Sequence, residues 1–308
     1  MASYPRNWFR LAFCLRGSVI PAILLRTALC GTLGLLASVL HFRGYPVAFP
    51  FNSIIPDLVL GLLLVFRTNT AYERFWEGRK LWGGLVNAVR NMARQIWIIV
   101  AEKEPNDRQQ KIQTLRLLVA FAVAVKLHLR RQPIDDELRS LLSSAQARQL
   151  TSMNHPPIEI AFWIGDYLQL QYQRDRLNVY QLNTMQETLN AMIDMLGGCE
   201  RILKTPIPLA YAIHLKQLLL LYCCSLPFQL VNDIGWWTAP VAALVSFTLF
   251  GIEEIGIEIE DPFGCDPNDL PLDEICKTML RNIEDLITLS PCTSVNPLVK
   301  TGIPKANL

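Results

Sequence analysis

The sequence is poor in charged residues and in the motifs that accompany catalysis or metal binding. Asp, Glu, Lys and Arg make up only 18% of its 308 residues, and its four histidines are scattered singly. Because the chain has no H-E-x-x-H spacing, no phosphate-binding glycine loop and no G-x-S-x-G motif, nothing supports a metalloenzyme, a nucleotide-binding enzyme or a serine hydrolase. A net charge of +2 without a dense Lys/Arg run argues against a nucleic-acid partner.

The cysteines also lack the spacing of a metal or disulfide framework. There are eight of them, and no C-x-x-C pair occurs. Several lie inside apolar segments, where a free cysteine packs as a small hydrophobic side chain. We therefore expect no cofactor and no bound metal, and we do not expect an enzyme.

Apolar residues are abundant instead. They form 51% of the chain, and the mean hydropathy is +0.24, which favours a multi-pass membrane protein. We predict an all-α membrane protein with four transmembrane helices and a large helical cytoplasmic region over residues 71–204. The predicted membrane helices cover residues 19–40, 52–70, 207–231 and 236–257. Leu115–Leu129 is also apolar, but it contains Lys126 and His128 and is predicted to be a buried cytoplasmic helix.

Positive charge predicts the orientation in the membrane. Lys and Arg crowd the chain just after the second predicted span and just before the third, which indicates that the middle region and both termini are cytoplasmic. A basic, aromatic stretch leads into the first span, and no small-residue cleavage site follows that span, so we interpret it as a start-anchor. Arg26 interrupts the first span and should face protein or the membrane surface. A cell membrane is the expected location, with a thylakoid membrane as the alternative.

Residues 67–83, R-T-N-T-A-Y-E-R-F-W-E-G-R-K-L-W-G, resemble the signature that follows the second membrane helix in the bestrophin family, particularly in its bacterial and plant-type members. Further motifs occur in the family's order: R-G-S at 16–18, N-H-P-P at 154–157, C-E-R-I-L-K-T-P-I-P-L-A-Y at 199–211 and E-D-P-F-G-x-D-x-N-D-L-P-L-D at 260–273. The resemblance covers nearly the whole chain. It predicts one channel domain over residues 1–295 and a tail over 296–308.

The resemblance implies a homopentamer with one pore on the fivefold axis. Such a channel would pass small monovalent anions, chloride or bicarbonate, down their gradient, because basic residues flank the pore helix and much of the family conducts anions. A cation-permeable channel is the rival within the same class. The implied partners are the lipid bilayer, further copies of the chain and small inorganic anions.

The resemblance places the pore neck at Leu58, Leu62 and Phe66. Together with Ile54, these residues recur every four positions and form one slowly drifting apolar stripe on a helix. Rings of apolar side chains can gate a pore by dewetting. A shift of one helical turn would bring Ile54 into the neck.

By the same resemblance, Ile207 narrows the cytoplasmic exit of the pore. It lies between Pro206 and Pro208, which interrupt backbone hydrogen bonding and restrict how the chain enters the third span. Without the resemblance, this stretch would be interpreted simply as the start of a helix.

Acidic residues cluster at the end of the fourth span and after it. The residues are Glu253, Glu254, Glu258, Glu260, Asp261, Asp266 and Asp269. Animal bestrophins hold calcium just after a matching P-F-G, but here the acidic run is diluted, and helix capping by Asp266 and Asp269 is the simpler interpretation.

Two other function classes stay open. A membrane-bound enzyme would place Glu254 or Glu258 in a water-filled pocket with perturbed ionisation. A non-conducting scaffold would pack the apolar stripe shut against other helices. An oligomeric structure with an axial pore at Leu62 and Phe66 would favour the channel over both.

Overall fold

The structure is a computed structural model that describes residues 8–47 and 55–290. Within these ranges every regular element is helical, which confirms the all-α prediction. The helices are α1 (Trp8–Ala12), α2 (Ile20–Phe42), α3 (Ile55–Ile99), α4 (Asp107–Leu129), α5 (Asp136–Ser140), α6 (Ser144–Thr151), α7 (Pro156–Gln173), α8 (Val179–Lys204), α9 (Leu209–Ile234), α10 (Thr238–Glu258) and α11 (Leu272–Thr288). Residues 52–54 of the second predicted span, including Ile54, and the tail over 296–308 lie outside the described residues.

Local sequence signals account for several helix ends. Pro105, Pro133 and Pro156 fall between helices or at the first residue of a helix, because proline lacks the N–H that a helix interior requires. Helix α9 continues through Ile234 and ends at Gly235, whose φ of +52° is a conformation that glycine adopts without strain.

The chain divides into two compact units, and the first comprises residues 1–79 and 201–270. In this unit α2, α9 and α10 pack against one another. Buried apolar side chains from α2, the first part of α3, α9 and α10 form its core. They include Ile23, Leu60, Leu64, Leu215 and Phe250.

Helices α2 and α10 approach closely at Gly34. A Cβ atom at this position would lie only 2.8 Å from the Cα of Ala239. Small residues at such crossings allow the backbones of membrane helices to pack directly. Gly34 is therefore required by the packing of this unit.

The second unit comprises residues 80–200 and 271–308, and α4 is its central helix. The stretch from Leu117 to Val125 is almost completely buried, and α4 packs against α7 and α11. Lys126 is also buried, but its Nζ lies 2.6 Å from Glu137 Oε2 and 2.9 Å from Asp273 Oδ1. A buried cation is tolerated here because two carboxylates pair with it.

Three described stretches are long and apolar enough to cross a membrane: Ile20–Phe42, Asp107–Leu129 and Leu209–Glu258. They differ in burial, since 78% of the most apolar window of the second is buried inside the protein, against 28% and 33% for the others. Helix α4 thus leaves little surface for lipid, whereas α2, α9 and α10 leave much of theirs open.

Candidate functional site

The first turns of α3 present two different apolar faces. Leu60 and Leu64 are 3% and 2% exposed and belong to the core of the first unit. Leu58, Leu62 and Phe66, the predicted neck residues, are 72%, 54% and 56% exposed. We call these three the apolar stripe. An exposed apolar surface of this kind marks contact with lipid or with another protein surface.

A cavity of about 550 Å³ lies at the end of the apolar stripe. It is lined by Phe66, Arg67, Thr70, Arg74, Thr205, Pro206, Ile207, Pro208 and Tyr211. The structure therefore brings Phe66 and Ile207 together, whereas Leu58 and Leu62 lie outside the cavity.

Glu260 fixes the wall of this cavity. Its Oε2 lies 2.6 Å from Nη2 of the buried Arg67, and its Oε1 accepts a hydrogen bond of 3.0 Å from the Ile207 N–H. Burial alone would raise the pKa of the Glu260 carboxyl, but the Ile207 N–H and the Arg67 guanidinium outweigh burial and lower this pKa. One ionised carboxylate thus connects the family signature to the segment that carries Ile207.

Arg74 connects the same parts of the chain through backbone carbonyls. Its guanidinium donates to the carbonyl oxygens of Glu260, Thr205 and Ile202. These bonds give Arg74 a structural role. Glu77, three residues further on, pairs instead with Arg201 on α8, whose Nη2 lies 2.9 Å from Glu77 Oε1.

The acidic residues at the end of α10 are paired with basic residues. Arg26 Nη1 lies 2.9 Å from Glu254 Oε2 and 3.7 Å from Glu253 Oε2, and Lys216 Nζ lies 3.3 Å from Glu253 Oε1. The expectation that Arg26 faces protein is confirmed. Neither glutamate lines the cavity described above.

The loop after α10 does not form the expected helix cap. Asp269 Oδ2 accepts a hydrogen bond from the Asp266 N–H inside the loop, and α11 begins at Leu272 without a side-chain cap. The capping interpretation is therefore wrong. Within residues 8–47 and 55–290, no group of three side chains from this loop converges as metal ligands would.

Sequence reasoning missed one cluster of side chains. His128, His155 and Glu200 come together in the second unit, with both imidazole Nε2 atoms within 2.8 Å of Glu200 Oε1. No local spacing predicts this cluster, because the histidines are 72 and 45 positions from the glutamate.

A family model described as "Bacterial/Fungal Bestrophin protein" matches residues 1–285. The chain belongs to this bestrophin family. This bestrophin is 62% identical over 298 residues to a voltage-dependent anion channel-forming protein of Nostoc sp., an alignment that covers 96% of this chain and 97% of the relative. It is 57% identical over 288 residues to a protein of the same description from Synechocystis sp., covering 93% and 94% of the two chains.

Solved structures support the same assignment. The crystal structure of a single-residue variant of a bacterial bestrophin homologue from Klebsiella pneumoniae superposes with a TM-score of 0.80 at 29% identity, covering 87% of this chain and all of that chain. Family, fold and the open apolar helices together identify this bestrophin as a membrane protein.

Proposed function

We propose that this bestrophin is a homopentameric channel. Small monovalent anions, such as chloride and bicarbonate, pass through it down their gradient. The observation that carries the proposal is the apolar stripe of Leu58, Leu62 and Phe66, which points away from the core of its own unit and directly precedes the family signature. Two relatives described as voltage-dependent anion channel-forming proteins agree with it.

In this proposal the apolar stripes of five chains surround the axis and form three apolar rings. Side chains without hydrogen-bonding groups cannot replace the water around an ion, so ions shed only part of their hydration and the neck closes when it dewets. Leu60 and Leu64 hold the other face of α3 in the core, which keeps the orientation of the rings constant.

Ile207 is proposed to form a further narrow point on the cytoplasmic side. Its N–H is bound by Glu260, and the flanking Pro206 and Pro208 restrict the backbone, so its side chain has a defined position. Because Phe66 and Ile207 line one cavity, the Ile207 ring would follow the neck closely.

Charge near the end of the neck favours anions. Arg67 and Arg74 line the cavity together with seven residues that carry no carboxylate. Although Arg67 pairs with Glu260, its Nη1 is buried and has no hydrogen-bond partner among the described residues. Arg74 donates to carbonyl oxygens, which are neutral, so these bonds do not cancel its positive charge, and positive charge beside a narrow passage raises the local anion concentration.

The proposed topology has four membrane helices, formed by α2, the first part of α3, α9 and α10. The burial of α4 supports its assignment to the cytoplasmic region despite its apolar sequence. Both termini are placed in the cytoplasm and the protein in the cell membrane, with the thylakoid membrane as the alternative. The exposed stripe argues against the scaffold hypothesis in its single-chain form, since α3 does not pack it shut.

Reversal potentials in an asymmetric KCl gradient test the proposal. Purified full-length protein in planar bilayers should give currents that reverse near the chloride equilibrium potential. Reversal near the potassium potential would replace it with a cation channel. Absence of current from protein that runs as a folded oligomer in gel filtration would favour a scaffold.

A further inference from the structure

The cluster of His128, His155 and Glu200 plays no part in the proposed pore. The three residues all belong to the unit formed by residues 80–200 and 271–308. His128 lies near the end of α4, His155 directly precedes α7, and Glu200 lies in the last turns of α8. Three separate helical segments therefore meet at these side chains.

The ligand atoms of this cluster converge on one point. His128 Nε2 lies 2.8 Å and His155 Nε2 lies 2.7 Å from the same carboxylate oxygen, Glu200 Oε1. The imidazole ring centroids are 4.4 Å apart, and one ligand atom from each residue lies within 4.8 Å of the other two. Among the described residues, this is the only group of three potential metal ligands that meets this condition.

We propose that His128, His155 and Glu200 bind one divalent transition-metal ion, with Zn²⁺ as the best match. Two imidazoles and a carboxylate are a donor set that zinc uses with a fourth position left to water, whereas Ca²⁺ and Mg²⁺ prefer oxygen ligands throughout. The carboxylate supplies the negative charge that favours a cation at this point. The site would be distinct from any calcium loop after α10.

The ion would need room beside Glu200 Oε1, and the two imidazole nitrogens, which lie within 4.8 Å of each other, would have to adopt the spacing of zinc ligands. With zinc bonds of about 2.0–2.2 Å in tetrahedral geometry, neighbouring ligand atoms lie about 3.3 Å apart, so each histidine would move by about 0.5 Å from Glu200 Oε1. The three side chains are 23%, 36% and 17% exposed, which gives the ion access from solvent.

The surroundings of His155 indicate that the ion would exchange. Pro156 and Pro157 occupy the first turn of α7 and hold the backbone beside His155 in place. His155 Nδ1 is buried without a hydrogen-bond partner among the described residues. Tight metal sites usually give the second imidazole nitrogen an acceptor. We therefore expect zinc that a chelator removes, not a permanently bound structural ion.

Zinc content of the full-length protein provides the first test. Protein in detergent would be stripped with EDTA, loaded with Zn²⁺, freed of unbound metal by gel filtration and measured by inductively coupled plasma mass spectrometry. The double variant His128→Gln/His155→Gln should hold one zinc per chain less than the parent. The matched control, His41→Gln/His214→Gln, changes the other two histidines and should keep the parent's content. Equal zinc contents in the parent and in the first double variant would overturn the proposal.

Glu200→Gln provides the second test. It is a milder change than the double variant, so a loss of zinc in Glu200→Gln cannot be attributed to a misfolded protein as easily. Its amide keeps the size of the side chain and can still hydrogen-bond to an imidazole, but it removes the negative charge. We expect its zinc affinity to fall at least about tenfold, since changes even outside the ligand set cost this much. Unchanged affinity in this variant would exclude Glu200 as a ligand.

Thermal unfolding separates this site from adventitious binding to cysteines. Because the ion binds only the folded arrangement, Zn²⁺ should raise the unfolding midpoint of the parent and of the control, and EDTA should reverse the change. Glu200→Gln should lose most of this response. An equal response in Glu200→Gln and the parent would contradict the proposal.

Discussion

Helices α4 and α2 are both apolar enough to cross a membrane, yet they have opposite surroundings. In its most apolar window α4 is 78% buried by other parts of the protein, whereas α2 is 28% buried. Apolar side chains in α4 are covered by α7 and α11, whereas many of those in α2 stay exposed outside its contacts with α9 and α10. Hydropathy therefore identifies apolar helices, whereas burial in the folded chain indicates whether protein already surrounds them.

Truncating one apolar side chain on each helix should give the largest difference in the free energy of unfolding. Phe121 on α4 is fully buried, so Phe121→Ala should lower the free energy of unfolding by about 3–5 kcal/mol through lost packing and a cavity. Leu25 on α2 is 72% exposed, so Leu25→Ala should change it by less than about 0.5 kcal/mol. Denaturant unfolding in detergent measures both. Similar losses in the two variants would contradict the assigned difference in burial between α4 and α2.

In the first unit, the ion pair of Arg67 and Glu260 should contribute measurably to the free energy of unfolding. Arg67→Met removes the partner of Glu260 and leaves a partly buried carboxylate, which should cost about 1–3 kcal/mol. The double variant Arg67→Met/Glu260→Gln should recover part of this loss, because no unpaired charge remains. The same unfolding assay tests both variants. A double variant less stable than the sum of its single changes would contradict this role for the pair.

Replacing Asp269 should change the stability of the protein less, and this change should depend on pH. Burial is the main cause that raises its pKa to about 6, and the nearby carboxylates of Asp266, Asp261 and Glu258 add to it, while the Asp266 N–H opposes the rise. At pH 7.5 the folded protein therefore holds Asp269 ionised at a cost, and this cost disappears as the pH falls through 6 towards the unfolded pKa.

The variant Asp269→Asn removes that cost and keeps an acceptor for the Asp266 N–H. Its unfolding midpoint should exceed the parent's at pH 7.5 by a few degrees or less, and the difference should shrink at pH 5. Taking the difference between the midpoints of the two proteins cancels the contributions of the other titrating groups. A difference that grew towards pH 5 would contradict the assigned surroundings of Asp269.

Much of the fold was predictable because its signals are local. Long apolar stretches and prolines such as Pro156 indicate helices and their ends within a few residues. The family signature likewise singled out the start of α3. Leu58, Leu60, Leu62 and Leu64 are equally apolar, however, and only the folded chain shows which of them the core covers.

Contacts between distant residues were beyond prediction from the sequence. Arg67 and Glu260 are 193 positions apart, and their pairing depends on how α3 and the end of α10 pack within the first unit. The histidine and glutamate cluster has the same cause, since three segments of the second unit must fold before its atoms meet. Local patterns carry no information about such packing.

Conductance of the double variant Leu62→Ala/Phe66→Ala tests the central claim most directly. Both residues are more than half exposed, so their truncation should spare the fold while it widens the proposed neck. Leu25→Ala, also exposed but on α2, is the matched control. In planar bilayers the double variant should conduct more than the parent at the same reversal potential, and the control should match the parent. Currents unchanged in the double variant would show that the apolar stripe does not line the pore.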